Sequence, residues 1–245
     1  MKYWAIYWKI DHPLFSDPRV RRGLTLAIDR RELLRVRNVP TELLVTDGVI
    51  TRRQLWRREL PEPLPYDPAG AHALLDAAGW LHRNSDGVRE RDGRPFRFTA
   101  IVRNSDGLDR LAVHVQAYLR RLGVQMDIQV LDPSLVRQRV DIGRFEAALM
   151  HHNTAVQKQY LGRGNPAGYT NPEAFRLIDD AAEAADPDEE DRLQRELTAV
   201  YRADLPVTCL IPITVTHFAH RRVQGLTTPF RADPDRCMED LWIEE

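Results

Sequence analysis

Residues 95–150 read PFRFTAIVRNSDGLDRLAVHVQAYLRRLGVQMDIQVLDPSLVRQRVDIGRFEAALM. Pro95 to Val102 carries the mixed alternation of a strand. Ser105 or Asp106 can cap a helix running to about Arg121, with Leu111, Val113, Val115, Leu119 and Leu122 inward and Gly123 as its stop. Val124 to Val130 alternates as a second strand, and Asp132-Pro133 opens a helix through about Ile142. Phe145 to Met150 is a short, almost uncharged third strand. Strand, helix, strand, helix, strand with tight connections implies right-handed crossovers and a parallel sheet. The fold class is therefore α/β, a mixed and mainly parallel sheet flanked by helices.

Working outward, Tyr3 to Ile10 is aromatic and β-branched and reads as a strand. Asp17-Pro18 and Asp67-Pro68 each place an N-cap before a proline at the first helical position, and Asp186-Pro187 repeats the signal downstream. A short second helix follows Asp29, and Gly79 ends the helix begun at Pro68. Val39 to Pro65 lacks periodicity and reads as a surface excursion with a helix near Arg52 to Arg58. Helices are expected over Pro172 to Ala184 and Asp186 to Tyr201, then a strand at Val207 to Thr216 and mostly irregular chain from Val223. Arg-Asn-Ser-Asp-Gly occurs at 83–87 and at 103–107, in a hairpin turn and at a helix start, as shared turn chemistry rather than a repeat.

The 245 residues carry 35 Lys+Arg against 36 Asp+Glu, a formal net charge of -1, and are 43% hydrophobic. Near-neutrality argues against a nucleic-acid partner or a membrane-surface binder. No window approaches the ~20 apolar residues of a membrane span, and Met1 to Ile10 has no signal-peptide organisation. A chain this long buries a core without a metal or disulfide framework. Cys209 and Cys237 can form one bridge, or stand as a buried and an exposed thiol; both readings stay open.

Open α/β sheets bind ligands beyond the carboxyl ends of their strands. Two such ends carry polar side chains: Arg103, Asn104 and Ser105 after the first strand, and His151, His152 and Asn153 after the third. The latter open a loop through Gly168 that holds Tyr160, Arg163, Asn165 and Tyr169. Long loops in compact domains are functional or disordered, and imidazole, amide, guanidinium and phenol groups suit ligand binding. The competing reading is an exposed polar loop. No metal site is expected, because adjacent residues of a strand point to opposite faces and neither His151-His152 nor His217/His220 brings a further ligand at suitable spacing. Asn84, Asp86 and Gly87 echo a calcium loop, but His82 and Gly93 occupy its first and closing positions, so this is a turn. No nucleophile elbow and no phosphate-binding glycine loop occur, so no catalytic residue and no cofactor are expected.

The order of these signals resembles the family 5 extracellular solute-binding proteins of ABC transporters, the oligopeptide- and dipeptide-binding type. The resemblance covers nearly the whole chain and matches the family's C-terminal half. It rests on HPLFSDPRVRRGLTLAIDRREL (12–33), YDPAGAHALLDAAGW (66–80), DGVRERDGRPFRFTAIV leading into VQAYLRRLGVQMDIQVLD, GRFEAALM (143–150), and GYTNPEAFRLIDDAAEAAD (168–186) followed by LPVTCLIPI and VQGL. Where the family has Gly-Trp after its short strand, this sequence has His151-His152, and Phe175 stands where the family often has Asp. The solute class is therefore open.

The resemblance implies a type II periplasmic-binding-protein lobe. Residues 1–245 would be one C-terminal lobe of a two-lobe protein, with 1–10 and about 210–245 crossing towards the other lobe. Tyr3, Trp4, Tyr7 and Trp8 would then expose surface that the missing lobe covers. It also implies a periplasmic or extracellular, monomeric receptor, held at the membrane only through an anchor outside this chain. That receptor would bind a small solute such as a peptide between its lobes and deliver it to an ABC permease, with His151, His152 and Asn153 in the ligand-facing stretch. A sensing lobe of a cytoplasmic regulator and a hydrolase using the His151 loop are the alternatives.

Overall fold

In a computed structural model, residues 2–39, 47, 62–105, 107–213, 220, 222–224 and 242–243 are described. The elements in chain order are β1 (Tyr3–Trp8), α1 (Pro18–Leu26), α2 (Arg30–Val36), α3 (Pro68–Ala77), β2 (His82–Arg83), β3 (Arg89–Arg91), β4 (Arg94–Pro95) and β5 (Arg97–Arg103). There follow α4 (Leu108–Leu122), β6 (Gln125–Leu131), α5 (Pro133–Asp141), β7 (Ala147–His152), α6 (Thr154–Leu161), α7 (Pro172–Glu183), α8 (Pro187–Asp204), β8 (Val207–Pro212), β9 (Val223–Gln224) and β10 (Trp242–Ile243).

All four Asp-Pro pairs cap helices as expected. Asp17, Asp67, Asp132 and Asp186 each accept a backbone N–H of the first turn, with proline at the start of the helix. Gly79 adopts φ +88 just beyond α3, a left-handed stop that glycine reaches without strain. Asn84 Oδ1 accepts from Asp86 N and Val88 N, so the calcium-like sequence is a side-chain-stabilised turn between β2 and β3.

The main sheet has the order β6-β5-β7-β1-β8. β5 is parallel to β6 and to β7, whereas β1 runs antiparallel to both β7 and β8, so four strands point one way and β1 is reversed. The parallel crossover set over 95–150 is borne out.

The expected exposure of the β1 aromatics is overturned. Tyr3, Tyr7 and Trp8 are fully buried and Trp4 is 5% exposed. The reason is that β1 finds both neighbours within this chain, pairing Tyr3 with His152 on one side and with Pro212 on the other. Alternation then sends Trp4, Ile6 and Trp8 into a core with α1, α3 and α4, and Ala5 and Tyr7 into a second core with α5 to α8. Burial of each such side chain contributes about 3 kcal/mol, so a free aromatic face would be costly.

Val113 also departs from expectation: it is 55% exposed, because α4 buries Leu108, Leu111, Ala112, Val115, Leu119 and Leu122 on one face. Ser105 does not cap α4; Gly107 is the cap residue, with φ 67 and no side-chain bond, and Asp106 lies outside the described residues. The expected helix near 52–58 lies outside them too. Within that excursion Asp47 is 2% exposed, accepting from Arg30 Nη1 at 2.7 Å and from Leu64 N at 2.8 Å, so at this point the chain is core rather than surface. The chain beyond Val223 is not wholly irregular, since β9 and β10 pair antiparallel. Cys209 is a free, buried thiol pushed up to about 12 by burial, while Cys237 lies outside the described residues.

Candidate functional site

The carboxyl ends of β5, β6, β7 and β8 and the start of β1 form one edge of the sheet. Ile213 N donates to Lys2 O at 2.9 Å, so the segments leading into β1 and out of β8 are bonded neighbours on this edge. Both histidines belong to β7 rather than to a loop. Pairing with Trp4 and Tyr3 of β1 extends the strand two residues past Met150.

Their environments then diverge, as alternation requires. His151 is half-buried, with Nδ1 3.1 Å from Arg103 Nη1. Arginine only donates, so Nδ1 accepts and carries no proton. Burial, then the charges of Arg103 and Lys2, hold its pKa below the usual histidine value. His152 is fully buried, with Nδ1 2.5 Å from the Tyr7 hydroxyl and Nε2 without a hydrogen-bond partner. Burial, then the neighbouring His151, lowers its pKa to about 3, so at neutral pH it is an uncharged core residue.

The expected loop from 151 to 168 instead holds the end of β7 and the eight-residue α6, with non-helical chain only from 162. Asn153 Oδ1 accepts from Val156 N at 3.0 Å and caps α6. Asn104 is exposed at the end of β5, its N–H donating to Leu131 O at 2.8 Å. Thus Asn104, His151, His152 and Asn153 share the carboxyl edge.

Tyr160, Arg163 and Tyr169 do not join them. α6 leads back from that edge to the opposite end of the sheet, where Ile10 N donates to Ala167 O at 2.7 Å. The Tyr160 hydroxyl donates to Asp141 Oδ1 at 2.9 Å; burial, then this bond, pushes its pKa up to about 12. The Tyr169 hydroxyl donates to Asp204 Oδ2 at 2.6 Å, and burial, then that carboxylate, raises its pKa strongly. Arg163 is exposed, with Nε 3.4 Å from Asp179 and its guanidinium 5.6 Å from the Phe175 ring. These side chains fasten the chain to α5, α7 and α8. Arg103 was named at its strand end but not singled out as a ligand residue, and Lys2 was missed. The signal was available, because Arg103 precedes Asn104 at the same strand end. Among the described residues no group of three or more His, Cys, Asp or Glu side chains could hold a metal, and no helix is long and apolar enough to cross a membrane.

A family model described as "Bacterial extracellular solute-binding proteins, family 5 Middle" matches residues 1–165. The chain belongs to the family 5 bacterial extracellular solute-binding proteins. It is 25% identical over 233 residues to the oligopeptide-binding protein AppA of Bacillus subtilis, covering 86% of this chain and 41% of that protein. It is 28% identical over 140 residues to the nickel-binding periplasmic protein of Escherichia coli, covering 57% of this chain and 26% of that one. The B. subtilis AppA structure, in complex with a nonapeptide, superposes with a TM-score of 0.75 at 21% identity, over all of this chain and 51% of AppA. NikZ of Campylobacter jejuni, with Ni(L-His), gives 0.73 at 18% identity, over 86% and 45%. The fold is accordingly that of a type II periplasmic-binding-protein lobe. The chain spans about half the length, or less, of these relatives.

Proposed function

We propose that this chain is the C-terminal lobe of a receptor that captures a small solute between two lobes and delivers it to an ABC permease outside the cytoplasm. The observation that carries this reading is the coincidence at one edge. Lys2 and Ile213, bonded at 2.9 Å, bring the entry to β1 and the exit from β8 together, and Asn104, His151 and Asn153 lie on the same edge; on this reading the chain crosses towards the second lobe there. A solute held there touches both lobes and biases their closure, which is all that such a receptor requires of its ligand. His152, Tyr160, Arg163 and Tyr169 then serve the lobe's own packing. A peptide is the solute class favoured by the relatives' names; the absence of a tryptophan at 152 means that stacking on this strand end comes from an imidazole or from the other lobe.

Purification of the full-length receptor, followed by native mass spectrometry, tests the reading. A solute released on mild denaturation, with 10-fold or weaker retention after His151→Ala and Asn153→Ala together, is expected. A receptor that neither carries nor gains a solute from peptide mixtures contradicts it.

A further inference from the structure

A cavity of about 450 Å3 opens at the amino end of the parallel strands. Trp8, the last residue of β1, pairs with Ala147, the first of β7, so Pro13 and Leu14 leave the sheet at the end opposite His151. They line the cavity together with Trp80 and with Arg91, Arg94 and Pro95 of the β3–β4 hairpin. Its size falls within the roughly 300–1,000 Å3 of small-molecule sites. His12 is a wall without a free polar atom. Its Nδ1 accepts from Leu14 N at 3.3 Å, and Nε2, which then carries the proton, lies 3.4 Å from Glu146 Oε1.

The remaining polar groups are nearly all donors. Arg91 and Arg94 are register partners across the turn Asp92-Gly93, on antiparallel strands. Residues directly opposite share a face, and like charges there repel. Among the described residues neither guanidinium has an acidic partner: Arg91 lies 4.7 Å from the centre of the Trp80 ring and donates to Ala78 O at 3.1 Å, and Arg94 has no acceptor. Asp92, the acidic residue of the lining, is exposed in the turn and pairs with neither. Trp80 is 2% exposed, and its Nε1 is buried without an acceptor. An indole N–H and a guanidinium only donate, so what this wall lacks is an acceptor, preferably a charged one.

We propose that this cavity is a second binding site, separate from the cleft edge, for a small aromatic anion. The anionic group sits against Arg91 and Arg94, relieves their repulsion and is held by charge-assisted hydrogen bonds. The ring packs on Pro13, Leu14 and Pro95 and stacks on guanidinium surface, which a flat ring does at little conformational cost. A cation or a neutral ligand leaves the two like charges facing each other. The site stands at the other end of the sheet from His151, so it holds or fails independently of the receptor reading.

Benzoate is the probe. The Trp80 indole N–H resonance of this chain is followed while benzoate, benzamide or acetate is titrated in, at ionic strength held constant with chloride. The indole resonance of Trp8, bonded to Thr208 Oγ1 at 3.0 Å, reports that each variant is folded. A saturable shift with benzoate is expected, with benzamide and acetate each about tenfold weaker, because one lacks the charge and the other the ring. Arg94→Gln should weaken benzoate about fivefold or more. Arg97→Gln makes the same change of net charge at a residue already paired with Asp127 at 2.7 Å and outside the lining, and should leave the titration unchanged. No saturable shift by about 10 mM, the weak end for so small a ligand, overturns the proposal. So does equal weakening by Arg94→Gln and Arg97→Gln, which would make the response one of overall charge, or an equal response to benzamide.

Discussion

The two ends of the sheet are built from similar residue types and used differently. At the amino end of the parallel strands, Tyr169 and Asn171 both donate to Asp204, and Tyr160 donates to Asp141. At the carboxyl end, Arg103 Nε, Ser105 Oγ and His152 Nε2 have no partner, and Asn104 is exposed. At the amino end these bonds hold the chain together, although the Tyr201 hydroxyl beside Tyr169 is buried there without a partner. The other keeps donors in reserve at the place where an α/β sheet presents ligands.

Breaking that contrast starts with His152, where the largest effect is expected. Between about pH 6.5 and pH 3 the unfolded chain protonates this residue while the folded chain refuses the proton. Its contribution is therefore complete above about pH 6.5 and is lost as pH falls towards 3, by about 4 kcal/mol at the low end. In His152→Leu, urea titrations across that range should show a correspondingly shallower acid loss, beginning from a stability lowered by about 1–3 kcal/mol because the Tyr7 hydroxyl loses its partner. An unchanged pH slope would mean that His152 is solvated.

Asp204→Ala comes next. It strands the Tyr169 hydroxyl and the Asn171 amide together and should cost about 2–4 kcal/mol in urea unfolding. Arg103→Gln, by contrast, removes a charge that has no acidic partner among the described residues and should change stability by less than about 1 kcal/mol, so that its loss is seen in ligand response alone. The smallest effect belongs to Arg163→Ala, an exposed pair with Asp179 at 3.4 Å, expected to move stability by about 0–1 kcal/mol and to leave solute retention unchanged. If Arg163→Ala abolished retention while Arg103→Gln did not, the roles of the two ends would be reversed.

Much of this was legible in local chemistry. Four Asp-Pro pairs and the glycine stops marked helix ends, because caps are set by neighbours in sequence. The fate of β1 was not legible, since whether Tyr3 and Trp8 are buried depends on pairing with β7 and β8, far away in the chain. The same distant pairing drew His151 and His152 into a strand. α6 was missed although Asn153 as cap, with Val156 and Tyr160 four apart on one face, carried its signature. The site was half read: the strand ends named Asn104, His151 and Asn153. Tyr160, Arg163 and Tyr169 were grouped with them only because a loop was expected where the helix leads to the other end of the sheet.

Hydrogen exchange on the full-length receptor, with and without its solute, tests the division between the two ends most directly. Protection is expected to rise at residues 103–105 and 151–154 on solute binding and to stay unchanged at 160–171. Protection gained at 160–171, with none at the carboxyl edge, would contradict the account.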